Sequence, residues 1–279
     1  MRLGGGKSLL ATVKDVLSNN RALWPDNKRL REDTLSETSG AYANARKRLS
    51  LETVEFLADR VSDSLIDASP PLFEGRRAFL LDGTTITLEP TPELKAAFPP
   101  ATNQHGESVW PVALLLAHEL ESRCALPPEI GAMYGQHNPS EAKLAKAVAQ
   151  RMPRGSIAWA DSLSGIFSVG HAMVEEGHAF LFRLTKPRFK SMKTRATLVE
   201  DWEGHATWKL RWTPSQKDRK TNPELPDEAA LEAALEVGLH EIPLPNGETL
   251  SLVTTLPIKS AEAGNSPAVA TMWNTTFGM

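Results

Sequence analysis

A chain of 279 residues, 41% of them hydrophobic and 23% charged, has the composition of a soluble globular protein with room for one large domain and a small one. Its 31 basic and 34 acidic side chains give a net charge of −3, which excludes both a disordered polyelectrolyte and a protein basic over its whole length. The longest apolar run, Val109 to Ala117, contains Pro111 and is too short to span a bilayer, so no membrane partner is expected.

The N-terminus carries Arg2 and Lys7 but no sustained apolar stretch of the kind that directs export. A single cysteine, Cys124, excludes an intrachain disulfide and fits a reducing compartment, so a cytoplasmic protein is expected. Gly5-Gly6-Lys7-Ser8 ends like a phosphate-binding loop, yet Met1 stands where the first glycine is needed and no strand precedes it.

In chain order, Leu49 to Leu65 reads as an amphipathic helix with Val54, Leu57, Val61 and Leu65 on one face and Ser50 at its start. Ser69-Pro70-Pro71 ends it, which divides the chain into a helical region, 1–70, and a larger domain, 71–279. Ala78 to Leu88 and Ser108 to His118 read as strands, and Pro127 to Tyr134 as a short third. Ser140 to Met152 predicts a helix capped by Ser140, with Leu144, Ala145, Val148 and Met152 on one face. A buried strand over Ser156 to Trp159, a helix over Phe167 to Glu176 and a strand over Ala179 to Leu184 follow. Further on, Ala206 to Trp212 and Thr249 to Thr255 are strand-like, with a turn at Pro243, Pro245, Asn246 and Gly247. Strands alternating with helices after a meander indicate a mixed α/β domain.

Two acidic residues interrupt or end apolar strand-like runs: Asp82 in Leu80-Leu81-Asp82-Gly83-Thr84-Thr85, and Asp161 in Ile157-Ala158-Trp159-Ala160-Asp161. A charge in such a place is costly unless a cation or metal offsets it, and two carboxylates on neighbouring strands suit a hard divalent ion. The same residues also suit a hairpin turn at Asp82-Gly83 and a capped turn after Asp161.

The order Leu81-Asp82-Gly83-Thr84-Thr85-Ile86, then Pro111-Val112-Ala113, Tyr134 to Glu141 with Leu144, Ala160-Asp161 with Gly165, Phe167 and Ser168, Phe182-Arg183-Leu184 and Leu252 to Leu256 resembles the IS-four family of bacterial insertion-sequence DDE transposases. Ser39 to Leu49, with Tyr42, Ala45, Arg46 and Leu49, is similar to the family's N-terminal helical region. The resemblance runs from about Ser36 to Leu256. It implies a ribonuclease-H-like core with the first Asp on the opening strand and the second on the adjacent fourth strand, and a β-rich insertion over about 190–250. It further implies Mg2+ or Mn2+ held at Asp82 and Asp161, and DNA at insertion-sequence terminal repeats as substrate. The implied protein partner is a second copy or an intact transposase. The family's third acid lies in a Y-x2-R-x3-E-x6-K helix, whereas residues 258–279 contain no Tyr or Arg and only Glu262 as an acid. That tail is expected to be divergent and Glu262 a poor substitute, so the expectation is a copy cut short before its catalytic Glu.

From Arg183 to Lys220 there are eleven Lys or Arg against Glu200, Asp201, Glu203 and Asp218, a local net charge of +7 in a chain that is otherwise −10. Arg183, Lys186, Arg188, Lys190, Lys193 and Arg195 are the candidate DNA contacts here, with Arg46 in the N-terminal region. Trp202, Trp208 and Trp212 suit either base stacking or a small β core. The seven histidines show no close ligand spacing.

Overall fold

The computed structural model describes residues 9–19, 26, 28–35, 38–71, 73, 75–88, 91–100, 102–103, 106–107, 111–135, 139, 141–202, 205–222, 225, 234–244 and 246–257. The proposed cap Ser140 and the tail 258–279 lie outside these residues. The chain forms two compact units, Met1–Leu57 and Ala58–Met279. The first holds α1 (Leu9–Asn19), α2 (Lys28–Arg31), α3 (Ser39–Lys47) and the beginning of α4 (Leu51–Ala68). Arg46 and Lys47 stand exposed in the last turn of α3, which buries none of its residues.

The proline stretch ends α4 as its chemistry requires, while the compact units divide earlier, within that helix. Ser50 starts the helix, its Oγ accepting the Thr53 amide at 3.3 Å. Its buried side is not the expected one: Val54, Leu57, Val61 and Leu65 are all about half exposed, and Ser62 and Ile66 are buried. Ser62 Oγ donates to the Ala125 carbonyl at 3.1 Å, and Ile66 enters the main core. A hydroxyl with a backbone acceptor can be buried cheaply, which lets the helix turn a polar residue inward.

The second unit continues with β1 (Ala78–Thr87), α5 (Pro92–Ala97), a two-residue pair β2 (Thr102–Asn103) and β3 (Gly106–Glu107), β4 (Pro111–Glu119) and β5 (Glu129–Ala132). Next come α6 (Glu141–Arg151), β6 (Ile157–Ala160), α7 (Phe167–Glu175), β7 (Ala179–Arg183) and α8 (Lys186–Lys193). The last elements are β8 (Thr197–Trp202), β9 (His205–Trp212), α9 (Gln216–Thr221), β10 (Leu235–Pro243) and β11 (Thr249–Thr254). Among the described residues nine strands form one mixed sheet in the order β5-β4-β1-β6-β7-β11-β10-β9-β8. β1, β6 and β7 are parallel; every other neighbouring pair is antiparallel. The fold is therefore mixed α/β, and its β-rich segment extends the same sheet.

Period-two alternation sorts the side chains to two faces. Phe79, Leu81, Ala158, Ala160, Phe180 and Phe182 belong to one core, to which α6 adds Val148 and Ala149, α7 adds Val169 and Met173, and α8 adds Phe189 and Met192. Ala78, Ile157, Trp159, Leu181 and Leu252 form a second core on the other face, where the Phe73 and Trp159 rings lie 5.2 Å apart. A run such as Ile157–Ala160 is apolar throughout because both of its faces are covered. No helix among the described residues is long and apolar enough to cross a membrane.

Candidate functional site

The parallel register brings three chemistry-bearing residues to the same end of the sheet. Leu81 pairs with Ala160, and Ala160 with Phe182; one residue further on are Asp82 in β1, Asp161 just past the end of β6, and Arg183 in β7. Parallel neighbours are about 4.8 Å apart, and Asp82 and Asp161 each follow the last paired residues of β1 and β6. The C-terminal ends of parallel strands are the usual place for ligands in α/β sheets, because backbone and loops there leave an open crevice. Asp82 is exposed, and its backbone pairs with Leu116 of β4.

Asp161 is exposed as well, yet held. Its Oδ1 accepts the amides of Leu163 at 2.9 Å and Ser164 at 3.4 Å, so the capped-turn reading of this residue is correct in geometry. One oxygen suffices for that turn, which leaves Oδ2 for a ligand. The turn packs closely on β7: a Cβ at Gly165 would collide with the Arg183 carbonyl oxygen. Arg188 also secures it, its Nη1 donating to the carbonyls of Ser162 at 3.0 Å and Gly165 at 2.7 Å.

Two adjacent carboxylates fit a hydrated divalent ion, because Mg2+ keeps several waters and takes one or two protein carboxylates. No group of three or more His, Cys, Asp or Glu able to hold a metal occurs among the described residues. Glu119 does not complete the pair: it lies opposite Phe79, three residues along from the Asp82 level, fully buried, with Oε2 accepting the Ser122 amide at 2.6 Å.

The candidate DNA contacts separate into two groups. Arg183, Lys186, Lys190 and Arg195 are exposed, with Lys186 and Lys190 one helical turn apart on α8. Arg188 and Lys193 have partners within the fold. Lys193 Nζ contacts Glu241 Oε2 at 2.8 Å and lies 4.2 Å from the centroid of the Trp208 ring. Trp208 and Trp212 are core residues, 7% and 5% exposed, and neither is placed to stack on a base. Trp212 meets the Phe167 ring edge-on at 5.5 Å. They alternate with Lys209 and Arg211, which lie on the exposed face of β9. Arg188, Arg195 and Lys217 line a cleft of about 830 Å³ between α8 and α9, which also contains the buried Asn222.

Sequence spacing missed one cluster. Thr207 pairs with His240 across β9 and β10, and this register brings His205 Nε2 to 3.4 Å and Thr207 Oγ1 to 3.2 Å from His240 Nδ1. Burial, and then the charge of His205, pushes the His240 pKa down to about 4. The two histidines lie on different strands, so only the strand pairing reveals them.

No protein-family model matches the chain, and no curated protein matches it. Among solved structures, the cryo-EM structure of a piggyBac transposase synaptic complex with hairpin DNA is similar at 9% identity and a TM-score of 0.39. That match covers 97% of this chain and 55% of the other, so the chain spans about half the length of the transposase it is similar to.

Proposed function

We propose that this chain is a DNA-binding protein of the transposase type, of the IS-four kind, in which Asp82 and Asp161 hold Mg2+ or Mn2+ beside the DNA backbone. The observation that supports the reading is the register of β1, β6 and β7, which brings Asp82, Asp161 just after β6, and Arg183 to the same end of the parallel strands. A ribonuclease-H-like core is supported by the order of the first five long strands, three antiparallel and then two parallel, with the first Asp on the opening strand and the second just after the fourth.

When bound, the ion supplies Lewis acidity for in-line phosphoryl transfer. Asp82 and the free oxygen of Asp161 would hold it. Arg183, Lys186, Lys190 and Arg195 would bind phosphates as cations free to leave water, and Arg46 would do so from the N-terminal unit. Strand transfer by a two-metal route needs further ligands to fix the second ion, and the described residues show no third acid beside the pair. That observation favours a second reading, in which the chain binds the terminal repeats without joining them and competes with a catalytically complete transposase.

The test is binding to a 30-base-pair duplex followed by fluorescence anisotropy over a salt series. Each phosphate contact contributes about 0.9 to the slope of log affinity against log salt, so the triple variant Lys186→Ala, Lys190→Ala, Arg195→Ala is expected to lose roughly 2–3 from that slope. Unchanged affinity and slope would remove DNA contact from this face.

A further inference from the structure

Arg188 stands out among the basic residues of α8, because the structure gives it acceptors belonging to the loop that carries Asp161. Both Nη1 hydrogens are committed, one to the Ser162 carbonyl and one to the Gly165 carbonyl. These two carbonyls bracket the turn whose Leu163 and Ser164 amides hold Asp161 Oδ1. The far end of the turn is fixed by the close approach of Gly165 to the Arg183 backbone. The turn therefore has three restraints: the carboxylate inside it, the close approach to β7 and the Arg188 guanidinium.

We propose that Arg188 is a positioning residue, which fixes the 161–165 turn and so orients the Asp161 carboxylate relative to Asp82. The consequence for metal binding rests on the divalent-ion reading given above; the restraint on the turn does not. Arginine suits the role because its planar guanidinium keeps its charge and sends two donors in fixed directions from one nitrogen, where a lysine ammonium supplies a point charge on a flexible stem. Its neighbours serve as internal contrasts. Lys186 and Lys190 are exposed, and Lys193 is tied to Glu241 and Trp208.

The experiment compares the 279-residue chain with Arg188→Ala, Arg188→Lys and Lys193→Ala. Lys193→Ala removes the same charge and, with it, the contacts to Glu241 and Trp208 from the same helix, so it controls for lost charge and lost stability. Hydrogen exchange at the Leu163 and Ser164 amides is expected to quicken by about tenfold or more in Arg188→Ala and to stay unchanged in Lys193→Ala. Mn2+ affinity, read by electron paramagnetic resonance without DNA, is expected to fall about tenfold to a hundredfold in Arg188→Ala, as for other residues that orient a metal ligand. Arg188→Lys is expected to recover part of both effects. Unaltered exchange at Leu163 and Ser164 in Arg188→Ala, or an equal change in Lys193→Ala, overturns the proposal. A parent chain that binds no Mn2+ overturns the divalent-ion reading instead, and the amide exchange still decides the role of Arg188.

Discussion

Replacing Phe180 by alanine is expected to lower stability by about 4 kcal/mol and the melting temperature by roughly 10 °C, since emptying a buried aromatic site combines lost transfer energy with a cavity. Phe180 is fully buried in β7, where the sheet changes from parallel to antiparallel pairing. Its ring stacks on Phe182 at 4.6 Å and meets Trp212 at 6.3 Å. Gly170 of α7 lies against it so closely that a Cβ there would come within 3.1 Å of the ring. The backbone of the same residue ties β7 to β11: its carbonyl accepts Thr254 Oγ1 at 2.6 Å, and its amide donates to Thr255 Oγ1 at 3.0 Å. The strand pairing survives the substitution while the cavity stays open, because neighbours fixed on a sheet and a helix cannot collapse into it. Denaturant unfolding measures the loss. A decrease below about 1.5 kcal/mol would mean that the site closes up, contrary to this packing.

Acidification from about pH 6.5 to pH 4 is expected to remove about 3 kcal/mol of stability through His240 alone. The folded chain holds this imidazole neutral, its pKa lowered to about 4 by burial and then by His205. In the unfolded chain the group titrates near its ordinary value, so between those pH values the unfolded state binds the proton first. The stability is thus fully present above about pH 6.5 and is lost as the pH falls toward 4. His205, His178 and His171 are lowered mainly by their own burial and contribute in the same direction. Unfolding free energy measured from pH 7 to pH 4 for the parent and His240→Gln checks the assignment, since glutamine can still bond to Thr207 but does not titrate. The variant should show a shallower acid slope; an equal slope would assign the acid sensitivity elsewhere.

The strands of the parallel half were legible because they are short apolar runs bounded by turn residues, as at Ile157–Ala160 and Ala179–Arg183. β10 was not, because Gly238, His240 and Glu241 interrupt its apolar pattern although both of its faces are largely buried. β8 hid behind Glu200 and Asp201 for a related reason: it is the edge strand and keeps polar residues. On α4, periodicity located the helix but selected the wrong face, since it cannot anticipate that Ser62 finds the Ala125 carbonyl. Asp82 and Asp161 could be chosen from their place in or after apolar runs, and the register of Leu81 with Ala160 puts them at the same end of two neighbouring strands. Composition could identify Arg188 and Lys193 as cations but could not identify their acceptors, which are contributed by residues 23 and 48 positions away. The tryptophans show the same limit, because alternation with charge is a β-core pattern only once β9 is known to be a strand.

The central claim is that Asp82 and Asp161 share one divalent ion. Mn2+ binding to the 279-residue chain, measured by electron paramagnetic resonance for the parent, Asp82→Asn and Asp161→Asn, tests it most directly. The account predicts one site in the parent, lost in both single variants because each removes a negative ligand from the same ion while preserving its size and shape. Binding that survives in either variant, or a parent chain that binds no Mn2+, would contradict it.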